Sequence, residues 1–420
     1  MLDTKTRSNI RSFAIVNTTL TSGLRAGGVL FRDKIFIYFH FSFYKKVLNR
    51  VTTHTLKMAQ YYTEIDGSML EGGGQILRTS ISLSAIMGIP VKVVKIRANR
   101  SKPGLAAQHL VGLRLVADMC EGELIGGNIG STEIKFKPGK VIKGGHYVAD
   151  TRTAGSVSLL MQIALPCAYM ADGPVTLDLK GGTNADMAPQ VEYMTEVFRN
   201  AMKMFGAPFE LRINRRGYFP KGGGIVTVEV NPVPKFKPVQ ITERGYINAI
   251  FGWSFVAGTL PLRWATQMSD GAKEKICNLY PRTQITALKE DANVAPHNCN
   301  GIIVICETST GCRLAADGLG KRGVEPLDLG RTVGLLLSEA ILSGVCLDSH
   351  LQDQVILYMA LADGRSAIRV GEITMHTKTV IYIVESLLKI NFEVTQEDKM
   401  NLIQCDGIGV ANKNPPQAPR

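Results

Sequence analysis

A chain of 420 residues with 45% hydrophobic and 20% charged side chains can bury a sizeable core and is longer than one core usually fills, so two or more lobes are expected and wholesale disorder is excluded. The formal charge of +12 would suggest a polybasic nucleic-acid face, but residues 1–57 supply +8 of it, ten Lys/Arg against Asp3 and Asp33, and the remainder only +4. Phosphate contacts must then come from a few placed side chains, while eight cysteines without CxxC pairs or Cys/His clusters argue against a zinc site or a disulfide scaffold and for buried free thiols.

Residues 1–57 are basic, hydroxyl-rich and poor in acids, and carry the aromatic run Phe36-Ile-Tyr-Phe-His-Phe-Ser-Phe-Tyr44. That composition resembles a mitochondrial transit peptide, and it equally fits a disordered or non-native extension upstream of a start at Met58. From residue 62 the spacing predicts a strand at 62–65, a turn at Gly72-Gly-Gly74, a helix at 75–87 with Ile76, Leu77, Ile81, Leu83 and Ala85 as its apolar positions, and a strand at 91–96. A helix at 105–120, striped by Leu110, Leu113, Val116 and Met119, leads to a strand at 133–136. A related block then returns, with a helix at 157–170, a strand at 175–179, a helix at 190–205 and strands at 209–214 and 225–230.

Between 243 and 344 the pattern changes to a strand at 247–255, a helix at 262–279, a strand at 301–308 and a helix at 328–343, a size suited to an inserted αβ domain. The chain resumes with a helix at 351–361, a strand at 367–374, a helix at 376–390 and a strand at 392–395. The organisation expected is a leader at 1–57, a large domain at 58–242 and 345–411 interrupted by the insert at 243–344, and a flexible tail at 412–420. Two long uncharged runs, 153–171 and 245–262, are broken by Gly, Pro and polar groups and read as buried elements, not membrane spans.

Four clusters carry possible chemistry. In Glu71-Gly-Gly-Gly-Gln-Ile-Leu-Arg78 the glycines let backbone N–H groups approach an anion at a helix start, with Gln75 and Arg78 on one face. In Arg97-Ala-Asn-Arg100-Ser-Lys-Pro-Gly104, followed by Gln108 and His109, two guanidiniums on a loop offer paired donors to a terminal phosphate. Arg216-Gly-Tyr-Phe-Pro-Lys-Gly-Gly-Gly224 lies between two strands and reads as a hairpin, outside the catalytic set. In Thr374-Met-His376-Thr-Lys-Thr379 a histidine sits at a helix start, where the dipole disfavours its protonation and keeps the ring nucleophilic, with Lys378 adding charge nearby.

Together with Thr153-Ala-Gly-Ser156 through Gln162, Gly181-Gly-Thr-Asn-Ala-Asp-Met-Ala-Pro189 and Leu351-Gln-Asp-Gln354, these segments resemble the RNA 3′-terminal phosphate cyclase family, in family order from about Met58 to Gly409. The resemblance implies an α/β (α+β) fold: a large domain of three βαβαββ repeats similar to the C-terminal domain of bacterial translation initiation factor 3, with a smaller αβ domain inserted before the third. It implies a ligase-class enzyme in which His376 takes AMP from ATP, passes it to an RNA 3′-phosphate, and the neighbouring 2′-OH then displaces AMP to close a 2′,3′-cyclic phosphate. By the same resemblance Arg97 and Arg100 lie near the RNA phosphate, with Arg78 and Gln108 lining that centre. Glu71 holds a divalent metal, Mg²⁺ or Mn²⁺, and Gln75, Gln162, Pro189, His350, Asp353 and Gln354 form the adenylate pocket.

Two positions depart from the family pattern. His350 stands where a tyrosine of the nucleotide pocket is usual, and Asn99 replaces a glycine in the arginine loop, where its tolerance of left-handed backbone is expected to preserve the turn. The partners implied are RNA with a 3′-terminal phosphate and ATP, with no membrane and no obligate protein partner. The compartment implied is the nucleus, the leader leaving mitochondria as the alternative. A non-catalytic cyclase-like factor of ribosome assembly would lack the nucleophilic histidine, and an enolpyruvyl-transferase-like enzyme would leave it unexplained.

Overall fold

The computed structural model describes residues 62–413, so the leader at 1–57 and residues 414–420 lie outside the described residues. The chain opens with β1 (Thr63–Asp66), α1 (Gly74–Met87), β2 (Val91–Val94), α2 (Ala107–Met119), β3 (Glu123–Ile125) and β4 (Ile134–Lys137). β1 pairs parallel with β2, β2 antiparallel with β4 and β4 antiparallel with β3, giving the order β1-β2-β4-β3. The next segment holds β5 (Gly145–Asp150), α3 (Val157–Tyr169), β6 (Val175–Gly181), a helix α4, β7 (Phe209–Arg215) and β8 (Gly224–Val230). Helix α4 runs through Val191–Tyr193, a π-helical turn at Met194–Phe198, and Arg199–Met204. Its sheet has the order β5-β6-β8-β7 with the same parallel, antiparallel, antiparallel senses.

After the short β9 (Gln240–Ile241) come β10 (Ile247–Ala257), α5 (Leu262–Ile276), β11 (Gln284–Lys289), β12 (Cys299–Thr308), β13 (Arg313–Leu319) and α6 (Pro326–Ser343). Their sheet, in the order β11-β10-β12-β13, packs on α5 and α6 around a cluster that includes Ile250, Met268, Ile302, Val304 and Leu337. The chain closes with α7 (Leu351–Leu361), β14 (Arg365–Val370), α8 (Met375–Leu388), β15 (Glu393–Glu397) and β16 (Met400–Asp406). β14 returns to pair parallel with β9 across the whole intervening segment, and the order is β15-β16-β14-β9.

The helices form where the apolar spacing puts them. Ile76, Leu77, Ile81 and Leu83 of α1 are buried, each contributing on the order of 2 kcal/mol by removal from water. They join one large core with Leu113 and Val116 of α2, Leu160 and Ile163 of α3, and Ile383 and Val384 of α8. The strands that the periodicity missed are β3, β5, β9, β11, β13 and β16; all but the interior β16 lie at sheet edges, and β3, β5 and β11 have few buried positions. An edge strand has one ladder partner and little apolar alternation, so its sequence carries little signal. The strand predicted at 367–374 stops at Val370, because the chain turns at Gly371 toward α8.

The two uncharged runs become α3 and β10, and among the described residues no helix is long and apolar enough to cross a membrane. All eight cysteines are free, six of them buried. The flexible tail expected from residue 412 needs one correction. Asn412 is buried, its N–H donating to Pro234 O and its Nδ2 to Ala171 O, both at 2.8 Å. The N–H groups of Ile408, Gly409 and Val410 bond Ala360, Ala362 and Leu361 carbonyls at 2.8–3.1 Å, satisfying acceptors that the end of α7 leaves open and so fixing the segment.

Candidate active site

Helix α1 begins at the glycine triplet with no side-chain cap at Gly73, so its leading N–H groups are not consumed by a neighbouring side chain. Glycine is needed at Gly74 for close approach: a Cβ there would lie 2.5 Å from His109 Nε2 and 3.0 Å from Arg78 Nη1. Within α1, the Arg78 guanidinium donates to Gln75 Oε1 one turn earlier. Glu71, just before the triplet, forms an ion pair with Arg100, which also donates to Glu71 O at 3.2 Å. Its other carboxylate oxygen, Oε2, is buried with no hydrogen-bond partner.

The arginine loop differs from the expectation at Asn99. Left-handed backbone falls at Lys95 (φ 50°) and Arg97 (φ 52°), not at Asn99, whose Nδ2 donates instead to Ser68 O at 3.3 Å. Paired turns, Ala98 N to Lys95 O at 3.2 Å and Arg100 N to Arg97 O at 3.0 Å, hold the two strained residues, and such strain costs about 1 kcal/mol or more per residue. The Arg97 Nη1 donates to Gly104 O at 2.8 Å, and its charge acts on His109.

On the opposite wall, helices α7 and α8 are tied together by Gln352. Its Oε1 accepts from Thr377 Oγ1 at 2.9 Å and Thr374 N at 3.3 Å, while its Nε2 donates to Glu372 O at 3.3 Å. Thr374 caps α8 by accepting from Thr377 N at 3.1 Å. Thr379 Oγ1 accepts from Glu71 N at 3.2 Å, which draws the start of α8 against the glycine loop. His376 therefore stands exposed at the head of α8, its ring in the field of Glu71, Arg78, Arg100 and His350. Withdrawal of its inner side from water pushes the imidazole below its ordinary pKa. Glu71 opposes this, while Arg78 and Arg100 reinforce it, so the ring is neutral at pH 7.

Between these walls lies a small cavity lined on one side by Gln75, Arg78, Gln162, Asp353 and Gln354 and otherwise by apolar side chains such as Phe198 and Leu357. Arg78 Nε, Gln162 Oε1 and Gln354 Oε1 are buried there without hydrogen-bond partners, although Gln354 Nε2 donates to His350 O at 2.6 Å. Buried groups left unpaired cost about 1–3 kcal/mol each, so their convergence marks a place for a polar ligand rather than a stabilising network. Burial lifts the Asp353 carboxyl to about 7 against the pull of Arg78 and lowers the Arg78 guanidinium to about 10.

For Asp353, folded pKa about 7 against an ordinary 3.8 means that folding disfavours its ionised form, and the destabilisation grows as pH rises from about 4 to 7. Asp353→Asn is therefore expected to raise stability on the order of 3 kcal/mol at pH 8 and much less at pH 4. Thermal melts across that range test it, and a pH-independent difference would refute the assignment.

The other expected residues flank this centre. Gln108 Oε1 accepts from Ser156 N at 2.9 Å, joining α2 to the start of α3. Pro189 and His350 do not line the cavity. Pro189 is buried in the loop before α4, and the exposed His350 ring stands edge-on to Tyr193, 5.9 Å between centroids at 84°. The hairpin reading of 216–224 holds, β7 pairing antiparallel with β8. Arg216 is engaged in ion pairs with Glu192 and, at 2.8 Å, Glu290.

Sequence reasoning missed His109 as a site residue. Its Nδ1 accepts from Ala106 N at 3.2 Å, which fixes the proton on Nε2, the nitrogen beside Gly74. Burial, with Arg78 and Arg97 nearby, lowers its pKa to about 4. The signal available was the capping-box position three residues into α2.

The sequence profile of the RNA 3′-terminal phosphate cyclase family matches residues 69–394. A Drosophila melanogaster protein named RNA 3′-terminal phosphate cyclase is 40% identical over 358 residues, covering 84% of this chain and 99% of its own. One of the same name from Methanopyrus kandleri is 39% identical, covering 79% and 94%. A Dictyostelium discoideum protein named probable RNA 3′-terminal phosphate cyclase is 35% identical, covering 82% of each chain.

Proposed function

The chain belongs to the RNA 3′-terminal phosphate cyclase family, a family of ligase-class enzymes, and from that membership we propose that it converts an RNA 3′-terminal phosphate into a 2′,3′-cyclic phosphodiester through a covalent adenylate on His376. A ring nitrogen of His376 attacks the α-phosphorus of ATP, the bond to the β-phosphate oxygen breaks, and pyrophosphate leaves with the electron pair. The RNA 3′-phosphate then attacks the same phosphorus, freeing the histidine and forming an RNA-adenylate. The 2′-OH finally attacks the 3′-phosphorus, loses its proton, and AMP departs. Covalent catalysis of this kind splits one hard step into easier ones.

The observation that carries this reading is the exposed, neutral His376 at the head of α8, in the field of Glu71, Arg78 and Arg100, with Arg78 also lining a cavity that holds unpaired buried polar groups. Arg78 stays charged at pH 7 and supplies fixed positive potential where phosphate charge develops. The free Oε2 of Glu71 fits a hard divalent cation. No trio of His, Cys, Asp or Glu among the described residues could hold a metal, so the remaining ligands would be phosphate oxygens and water. When bound, Mg²⁺ or Mn²⁺ would neutralise part of the triphosphate charge. Gln75, Gln162 and Gln354 offer donors and acceptors to the nucleotide.

Incubation with ATP, a divalent cation and a 3′-phosphorylated oligoribonucleotide should yield an end resistant to phosphatase, and an end that stays phosphatase-sensitive would refute the activity. Arg100→Ala should slow AMP transfer to RNA about tenfold more than it slows self-adenylation, since Arg100 stands on the loop assigned to the RNA phosphate. Single-turnover assays of the two steps decide this, and equal losses in both would remove its substrate role.

A further inference from the structure

The inserted segment leaves through the chain after β9 and returns through the chain after α6, and two cysteines meet where these crossings come together. Cys312 closes the turn between β12 and β13, its carbonyl accepting from Thr308 N at 3.0 Å. Its Sγ lies 3.8 Å from Glu243 O on the outgoing crossing and 3.4 Å from Thr310 Oγ1. Cys346 stands on the returning crossing, its N–H donating to Arg369 O at 3.1 Å and its thiol to the Cys312 sulfur. Both side chains are buried. Cys312 nevertheless lines a cavity of about 220 Å³ whose rim carries the exposed Gln240, Glu243 and Thr310, so a small solute can reach its sulfur. Two guanidiniums serve the pair: Arg244 acts on both thiols and Arg369 on Cys346, and each keeps a buried Nε without a hydrogen-bond partner. The bond from Cys346, with those from Thr310 and Thr308 and the charge of Arg244, holds the Cys312 thiol below its ordinary value against the effect of burial. That same bond, followed by burial, pushes Cys346 up, and burial pushes up Cys120, Cys167, Cys299, Cys306 and Cys405. The thiolate is the nucleophilic form, so among these thiols Cys312 is the one disposed to react.

We propose that Cys312 and Cys346 are a peroxide-reactive pair, Cys312 taking an oxygen atom from hydrogen peroxide and Cys346 displacing it to leave a disulfide across the junction of the inserted segment. The Cys312 thiolate attacks one peroxide oxygen, the O–O bond breaks, and hydroxide leaves and takes up a proton to become water. The Cys346 sulfur then attacks the sulfenic sulfur, the S–O bond breaks, and the departing hydroxyl leaves as water with the Cys346 proton. Two thiols are oxidised and one peroxide is reduced to water, with a reductant such as a dithiol reversing the bond. The disulfide would reinforce a link that one hydrogen bond already makes, Ala315 N to Asp348 Oδ2 at 2.9 Å. Asp348 Oδ1 also accepts from the N–H groups of His350 and Leu351 at 3.0 and 2.9 Å, so oxidation ties β13 to the start of the helix that bears Asp353 and Gln354.

The test treats reduced full-length protein with hydrogen peroxide, with and without dimedone as a trap for sulfenic acid. Remaining thiols are alkylated, the protein is digested without reductant, and the peptides are identified by mass spectrometry. Wild type should yield peptides joined through Cys312 and Cys346 and separated by dithiothreitol. Cys346→Ser should lose the joined pair and carry dimedone on Cys312, while Cys312→Ser should lose both products. Melting curves show whether each serine variant is folded, and the wild-type linkage decides the proposal even where one is not. Wild-type protein in which both thiols remain open to alkylation, or in which dimedone falls on Cys346, overturns it.

Discussion

His376→Ala protein, given ATP labelled at the α-phosphate and a divalent cation, is expected to take up at least about 10³-fold less acid-labile, alkali-stable label than wild type, since removing a nucleophile removes the covalent route entirely. The fold should be indifferent. The ring is exposed and none of the hydrogen bonds described for the start of α8 uses it, so the change in stability should stay within about 0.5 kcal/mol. Because burial and the two guanidiniums hold the imidazole below its ordinary value, the neutral form persists to lower pH than in a free histidine. Labelling by wild type should therefore be flat above pH 6.5 and decline only below it. Undiminished labelling of the alanine variant would end the assignment.

Arg78→Ala should lower self-adenylation on the order of 10²- to 10³-fold, the range seen when one preorganised charge is withdrawn from a developing anion. Arg78 is held by Gln75 within its own helix and faces Asp353 and Glu71, so its position does not depend on the substrate. Arg78→Lys should recover little, since a point charge cannot reproduce the planar fork that meets Gln75 and a phosphate together. Loss of the guanidinium also removes the largest charge that restrains Asp353, whose carboxyl should rise further above 7. Rates of label uptake for both variants decide the matter, and a wild-type rate in the alanine variant would show that the cavity is not where ATP reacts.

The helices at 75–87, 157–170 and 351–361 were legible within a residue or two because their burial is a local pattern of apolar side chains. Edge strands such as β3 and β5 were not, since what makes them strands is a neighbour elsewhere in the chain. The glycine triplet, the arginine pair and the histidine could be picked out by chemistry and by resemblance. What brings Arg100 onto Glu71 is the parallel pairing of β1 with β2, and what brings Thr379 onto the glycine loop is the packing of α8 on α1; neither is encoded in a spacing. Asn99 misled because a side chain that tolerates left-handed backbone need not adopt it. Two turn hydrogen bonds placed that conformation on Lys95 and Arg97 instead. His109 escaped for a related reason: it acquires meaning only from Gly74, a partner on another element.

The two-residue strand β9 meets β14 through Gln240 opposite Ala367 and Ile241 opposite Ile368, with Ala367 N bonding Val239 O at 2.8 Å. A nascent chain emerging from the ribosome must therefore carry β9 unpaired while everything up to residue 364 is synthesised. Segments upstream can fold as they appear, but this sheet, and the histidine that follows it, wait for the last stretch of chain. Truncated translation products ending before β14 would contain the glycine loop and both loop arginines but lack His376, so on the proposed mechanism they could not accept AMP.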